Sequence, residues 1–211
     1  MFNLLDGVIT TPLIIFCIAL FVVIVILSFV CDANAFSWDT KCIAFAGITI
    51  ATSTGLSFIK LFTMPLGGDI TLASILPIIL FSFIYGTKKG VVVGIVFGLI
   101  NFVCFPFSVH PAQIILDYPL AFGFMGLTSM FGKIKAIRRK PILEFVLGSI
   151  TSCILRFSCH VIAGRFAYET PFLANIAYNS FVFIDLAIAI VLGIILLSSK
   201  SLLKLILEKR K

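Results

Sequence analysis

Polar side chains recur at helical spacing inside apolar stretches of this sequence, and their types suit the capture of a small molecule. Gln113 and Asp117 stand four residues apart and share one face of a helix. Arg156, His160, Gly164 and Tyr168 also step by four, which makes a single stripe. Asn175, Tyr178 and Asn179 follow, and Gly67, Gly68 and Asp69 mark a turn. Both histidines of the chain, His110 and His160, belong to this set. These residues supply a carboxylate, an imidazole, amides and phenols. They can hydrogen-bond a polar ligand, or His160 and Asp117 can act as acid and base in an intramembrane enzyme. No nucleophile pair and no metal-ligand cluster stands at a recognisable spacing, so no catalytic residue, metal or cofactor is expected.

The elements that must position these groups are membrane helices. Hydrophobic residues make up 61% of the 211 and charged residues only 12%, against roughly 25% charged in a soluble domain. Such a chain needs a lipid bilayer as its solvent. The 23 Phe fit lipid-facing and packing surfaces, and no basic groove accompanies them to stack nucleic acid. Six cysteines without a CxxC, mostly inside apolar runs, read as small hydrophobes. The first apolar run has no Lys or Arg before it, which argues against a cleaved signal peptide.

Apolar runs of membrane-spanning length cover 12–31, 41–62, 70–86, 90–107, 112–131, 142–164 and 175–198. They predict an all-α polytopic bundle. Lys41, Lys88 and Lys89, the cluster from Lys133 to Lys140 and the tail from Lys200 to Lys211 hold thirteen of the sixteen basic residues. All thirteen fall on one side if seven helices alternate, and that side should be the cytoplasm. The N-terminus is then outside, and the polar stripes lie in the outer half of the bundle. An intramembrane polar residue is costly and therefore a functional candidate. The plainer alternative is that Asp117 and Arg156 simply neutralise each other. Asp185, below Asn179, is either a buried hydrogen-bonding group or part of a coupling network, and Glu144 is expected to reach the interface. Gly90, Gly94 and Gly98, like Gly47, Ala51 and Gly55, form small-residue stripes suited to close helix packing. The segment Leu202–Leu207 reads as an amphipathic extension at the interface.

Three segments carry a family resemblance: Met64-Pro65-Leu66-Gly67-Gly68-Asp69-Ile70-Thr71-Leu72, then His110 to Tyr118 with Ala121-Phe122, then Arg156 to Gly164 with Tyr168. With Tyr178-Asn179, they resemble the thiamine-specific substrate-binding subunits of energy-coupling factor transporters, in order and spacing, over about residues 40–199. The resemblance implies a six-helix substrate-binding core at 41–199. It leaves residues 1–40 as an extra N-terminal helix with its linker, and 200–211 as a basic cytoplasmic tail. It further implies that Asp117, Tyr118, His160, Gly164, Tyr168 and Asn179 contact thiamine, with Gln113 and Gly68 beside them. Gly164 would admit the ligand where a Cβ would obstruct it. Gly47, Ala51 and Gly55 would dock onto the energising module, which comprises a transmembrane coupling subunit and two ATPase subunits. The expected location is a bacterial cell membrane. The sequence departs from the family's pattern at Ala174, where a Tyr is usual, at Tyr168, where Trp or Phe is usual, and in lacking a loop Trp near Gly68. A subunit for another vitamin or for a thiamine-related pyrimidine is the alternative ligand reading. An intramembrane enzyme and a purely structural membrane subunit are the alternatives of other classes.

Overall fold

The computed structural model describes residues 37–210 except Leu66, together with Ala19, Val22 and Ile26. The remainder of the extra helix predicted over 12–31 lies outside the described residues. Asp39 opens helix α1 (Thr40–Ser57) by accepting the Cys42 amide at 3.0 Å, the usual work of an N-capping carboxylate. Helix α1 is inverted for its solvent. Cys42, Ala46, Thr49, Ser53 and Ser57 face inward, while Ile43, Phe45 and Ile48 are exposed.

The chain then makes an antiparallel hairpin, β1 (Lys60–Thr63) with β2 (Asp69–Thr71), closed through Gly67 at φ +85°. Helices were expected to run through 41–62 and 70–86. They stop at Ser57 and restart only at Leu76, in α2 (Leu76–Tyr85). Short apolar runs such as Phe58–Phe62 have no period that separates strand from helix, and hydropathy alone extended the helices across them. The ten residues of α2 reach about 15 Å, half the hydrocarbon thickness of about 30 Å. The hairpin occupies the chain's path beyond its N-terminal end.

Gly86, at φ +93°, makes the corner into α3 (Thr87–Cys104). The next span begins as α4 (Pro111–Ile115), widens into a π turn (Leu116–Leu120) and resumes as α5 (Ala121–Met125). Pro119 explains the widening: it has no N–H to give Ile115, and Ala121 instead donates back to Leu116. The glycine stripe of α3 meets this span at its backbone. A Cβ on Gly98 would lie 2.5 Å from the Tyr118 carbonyl, one on Gly90 would meet the Gly126 carbonyl, and one on Gly94 the Phe122 carbonyl. The small side chains are therefore what lets the two spans touch, as the sequence pattern required.

A 3-10 turn (Met130–Lys133) and α6 (Lys135–Arg138) lead into the long α7 (Pro141–Tyr168), then α8 (Phe172–Asn179), α9 (Phe181–Ser198) and α10 (Lys200–Lys209). Among the described residues, four stretches are long and apolar enough to cross a membrane: Thr87–Cys104, Gln113–Lys133, Pro141–Arg165 and Phe172–Ser198. The basic clusters gather at one end of the bundle. Lys209 donates to the Tyr85 hydroxyl at 3.0 Å and lies 5.1 Å from the centre of the Phe45 ring, beside the start of α1. Arg210 pairs with Glu144 and stacks 4.2 Å over Phe83. Glu144 therefore does not reach the interface as expected. It is fully buried, because α10 folds back beneath the bundle and brings a cation to it.

Candidate ligand-binding cavity

A cavity of about 390 Å³ opens at the other end of the bundle, walled by the hairpin, the π-turn span, α7, α8 and the start of α9. That volume suits a vitamin-sized ligand. All eight expected ligand residues line it: Gly68, Gln113, Asp117, Tyr118, His160, Gly164, Tyr168 and Asn179. His110 does not. It is exposed in the loop before α4, where the sequence left its role open.

The centre of the polar wall is the contact between His160 Nδ1 and Asp117 Oδ1, at 2.7 Å. The π turn presents Asp117 across the cavity to the stripe on α7. With Nδ1–H donating to the carboxylate, Nε2 becomes the working atom of the imidazole: an acceptor when the ring is neutral, a donor when it is protonated. Nε2 is buried without a hydrogen-bond partner among the described residues, as is the Tyr168 hydroxyl. Both groups belong to residues that line the cavity.

The plainer alternative, Asp117 paired with Arg156, does not occur. Arg156 Nη1 lies 3.2 Å from Asp185 Oδ2, with side chains 7% and 1% exposed respectively. One helical turn separates Arg156 from His160 along α7, and each finds its own carboxylate. Asp185 also accepts the amide of Thr71 at 3.2 Å and its hydroxyl at 2.9 Å. Three donors thus make Asp185 a buried hydrogen-bonding group. Both Asp185 and Thr71 line the cavity, and the sequence had not placed Thr71 there.

Other expected residues act through their neighbours. The Gln113 side-chain oxygen accepts from the amides of Val109 and His110, at 2.8 and 3.2 Å, which fixes the entry to α4. The Tyr118 hydroxyl is committed to the Phe105 and Phe107 backbone, so its ring is what remains for the cavity. A Cβ on Gly164 would collide with Asn175 Oδ1. The room over that glycine, expected to admit the ligand, is filled by the Asn175 side chain. Asn175 in turn donates to Val161 O at 2.6 Å and accepts from Asn179 Nδ2 at 2.7 Å. The Asn179 amide nitrogen is thereby occupied, which leaves its oxygen Oδ1 for other contacts. Asn175 was visible in the sequence as a polar residue opening the last span, but nothing in its spacing tied it to Gly164.

The aromatic wall is made by Phe105, Phe107, Tyr168, Tyr178 and Phe181. The Tyr178 ring meets Phe181 edge-on with centroids 6.0 Å apart, and its hydroxyl accepts the Gly68 amide at 3.3 Å. Gly68 is required at this point, because a Cβ there would lie 2.7 Å from the Phe181 ring.

The family model for thiamine transporter proteins matches residues 43–205 of this chain. Thiamine transporter ThiT of Bacillus subtilis (strain 168) is 30% identical over 158 residues, which is 67% of this chain and 82% of that protein. The solved structure of ThiT from Listeria monocytogenes shares the fold, with a TM-score of 0.59 at 21% identity, over 76% of this chain and 96% of that one.

The ion pairs yield a stability prediction. Arg156→Ala and Asp185→Ala should each destabilise the detergent-solubilised protein by about 3–5 kcal/mol, since each strands a buried charge. Asp117→Asn, on a side chain 21% exposed, should melt close to the wild type. Equal melting temperatures for all three variants would contradict the pairing.

Proposed function

Because this chain belongs to the thiamine transporter protein family, we propose that its cavity captures thiamine from outside the cell and that it serves as the substrate-binding subunit of an energy-coupling factor importer. It is a multi-pass membrane transport protein, and its polar cluster is read as a binding site rather than as an enzyme's. The observation that carries the ligand reading is the Asp117–His160 pair set beside an aromatic wall in one cavity. Thiamine has the complementary halves. Its aminopyrimidine donates hydrogen bonds to a carboxylate, a charge-assisted contact. Its thiazolium carries a positive charge that aromatic faces attract.

In this reading Asp117 accepts from the exocyclic amino group, and His160 Nε2 and Asn179 Oδ1 contribute further polar contacts. The rings of Tyr118, Tyr168 and Tyr178 enclose the ligand. Gln113 and Gly68 hold the walls in place. No cofactor is needed for capture. The sequence has no GxxxxGK[ST] motif to cradle nucleotide phosphates, so the energy comes from partners: a transmembrane coupling subunit and two ATPase subunits. Gly47, Ala51 and Gly55 form the proposed docking stripe. All three are exposed on α1, and a Cβ on Gly47 or Gly55 would meet nothing within 4 Å. A partner helix has room to approach there. The substrate-binding core is assigned to 41–199, with 1–40 and 200–211 as additions at either end.

Three experiments test this assignment. Purified protein titrated with thiamine should show saturable quenching of aromatic fluorescence, and Asp117→Ala should weaken binding by roughly 2–5 kcal/mol, the range for truncating a buried charged contact. Folded protein that fails to saturate at millimolar thiamine would refute the ligand. Ala51→Trp should bind thiamine as the wild type does, yet lose partner-dependent uptake and co-purification; intact uptake would remove the docking stripe. In a Cys-free background, a cysteine at Thr170 should react with an impermeant thiol reagent on intact cells, and one at Ala136 only after lysis. The reverse pattern would put the cavity on the cytoplasmic side.

A further inference from the structure

Asp185 lies at the inner end of the cavity, but its chemistry is that of a joint. Oδ1 receives both the amide and the hydroxyl of Thr71, and Oδ2 receives Arg156. Both oxygens are occupied by protein donors, and the residue is 1% exposed. A carboxylate so committed has little left to offer a ligand. What it does is connect three elements: β2 through Thr71, α7 through Arg156, and α9, which carries it.

The hairpin depends on such a joint. All four residues of β1 are exposed, so burial of apolar surface along that strand does little to fix it. Ile70, on β2, is its buried apolar peg. Met64, in the closing turn, packs partly buried against the same core; other ties among the described residues include Gly68 to the Tyr178 hydroxyl at 3.3 Å and Lys60 over Phe105 at 4.8 Å. The hairpin's closing turn supplies Gly67 and Gly68 to the cavity wall, and β2 supplies Asp69. An error in the hairpin's angle at Thr71 is therefore transmitted to the wall. The Thr71 hydroxyl also lies 2.7 Å from the Ser74 hydroxyl and accepts the Ser74 amide at 3.2 Å. That links the same point to the residues just ahead of α2.

We propose that Asp185 is a positioning residue for ligand retention: by joining Thr71 to Arg156 it holds the hairpin wall in register with the α7 wall. This rests on thiamine being the ligand. It assigns to Asp185 and Thr71 an effect on how long the ligand stays, exerted without contact. A buried ion pair is by itself weak evidence of stability. The prediction that separates the two roles concerns rates at constant fold.

The test uses Thr71→Val, Thr71→Ser and Asp185→Asn, each purified in detergent. Thiamine association and dissociation are followed by stopped-flow fluorescence, and the ligand-free melting temperature is recorded. Thr71→Val keeps size and the backbone bond but loses the hydroxyl. It also loses the contacts with Ser74, so its melting temperature should fall somewhat while the fold is kept, and it should release thiamine about tenfold faster, as expected for a lost hydrogen bond to a charged group, with association little changed. Thr71→Ser restores the hydroxyl and should restore the rate. Asp185→Asn should also speed release, and combining it with Thr71→Val should add little. Wild-type release from both Thr71→Val and Asp185→Asn would overturn the proposal, as would a fall in melting temperature with no change in release. Should Thr71→Val fail to fold, the Asp185→Asn rate decides in the same way. Absence of saturable binding by the wild-type chain would instead remove the functional reading itself, and this inference with it.

Discussion

A guanidinium and a carboxylate 3.2 Å apart inside an apolar bundle set terms that the neighbouring elements must meet. In a medium of low polarity neither charge is tolerable alone, so α7 and α9 must be rotated about their axes until Arg156 faces Asp185. Once they are, the stripe on α7 has no further freedom. His160, one turn along, faces the π-turn span, and Gly164, a second turn along, faces α8. The spare capacity of Asp185 then draws in Thr71 and with it the hairpin. One buried neutralisation thus orients three walls of the cavity, and the ligand-facing groups inherit that orientation.

The fourth wall is fixed by a different force. Lipid offers helices no hydrophobic reward for associating, so close contact must come from shape. The glycines of α3 let its backbone reach the carbonyls of Tyr118, Phe122 and Gly126. The Phe97 and Phe122 rings meet edge-on with centroids 4.7 Å apart and fill the space beside this seam. Asp117 is held at the cavity because the backbone next to it is pressed against α3.

Much of this was legible in the sequence, for a simple reason. In a chain with so few charges, Asp117, His160 and Asn179 stand out, and alternating helices with the basic loops on one side put them at one depth and one side. The glycine stripe of α3 was equally plain. Partnerships were not legible. Spacing along one helix says which residues share a face, but not which face of the next helix they meet. Pairing of Arg156 with Asp117 therefore stood open as the plainer alternative, although Asp185 has Arg156. Glu144 finds Arg210, 66 residues away, and no local pattern announces such a contact. Gly164 makes room for Asn175 on a neighbouring helix, which the same limit conceals. The hairpin was missed because hydropathy is blind to the difference between a short strand and the end of a helix. Thr71 consequently looked like the first turn of a span.

The π turn at Leu116–Leu120 also governs which changes of chain length the protein can accept. A π turn holds one residue more than the α turn it replaces, and its extra residue sits between the cavity-facing Gln113 and the seam-facing Ala121–Met125. Losing that one residue would close the bulge into an α turn with the two halves still in phase. A deletion elsewhere in the span has no such slack and would turn the residues on either side of it by about 100° relative to one another. Either Asp117 would then leave His160, or Phe122 would leave the α3 seam. The stretch Leu116–Leu120 is therefore where this span can change its length with the binding wall and the packing wall kept together.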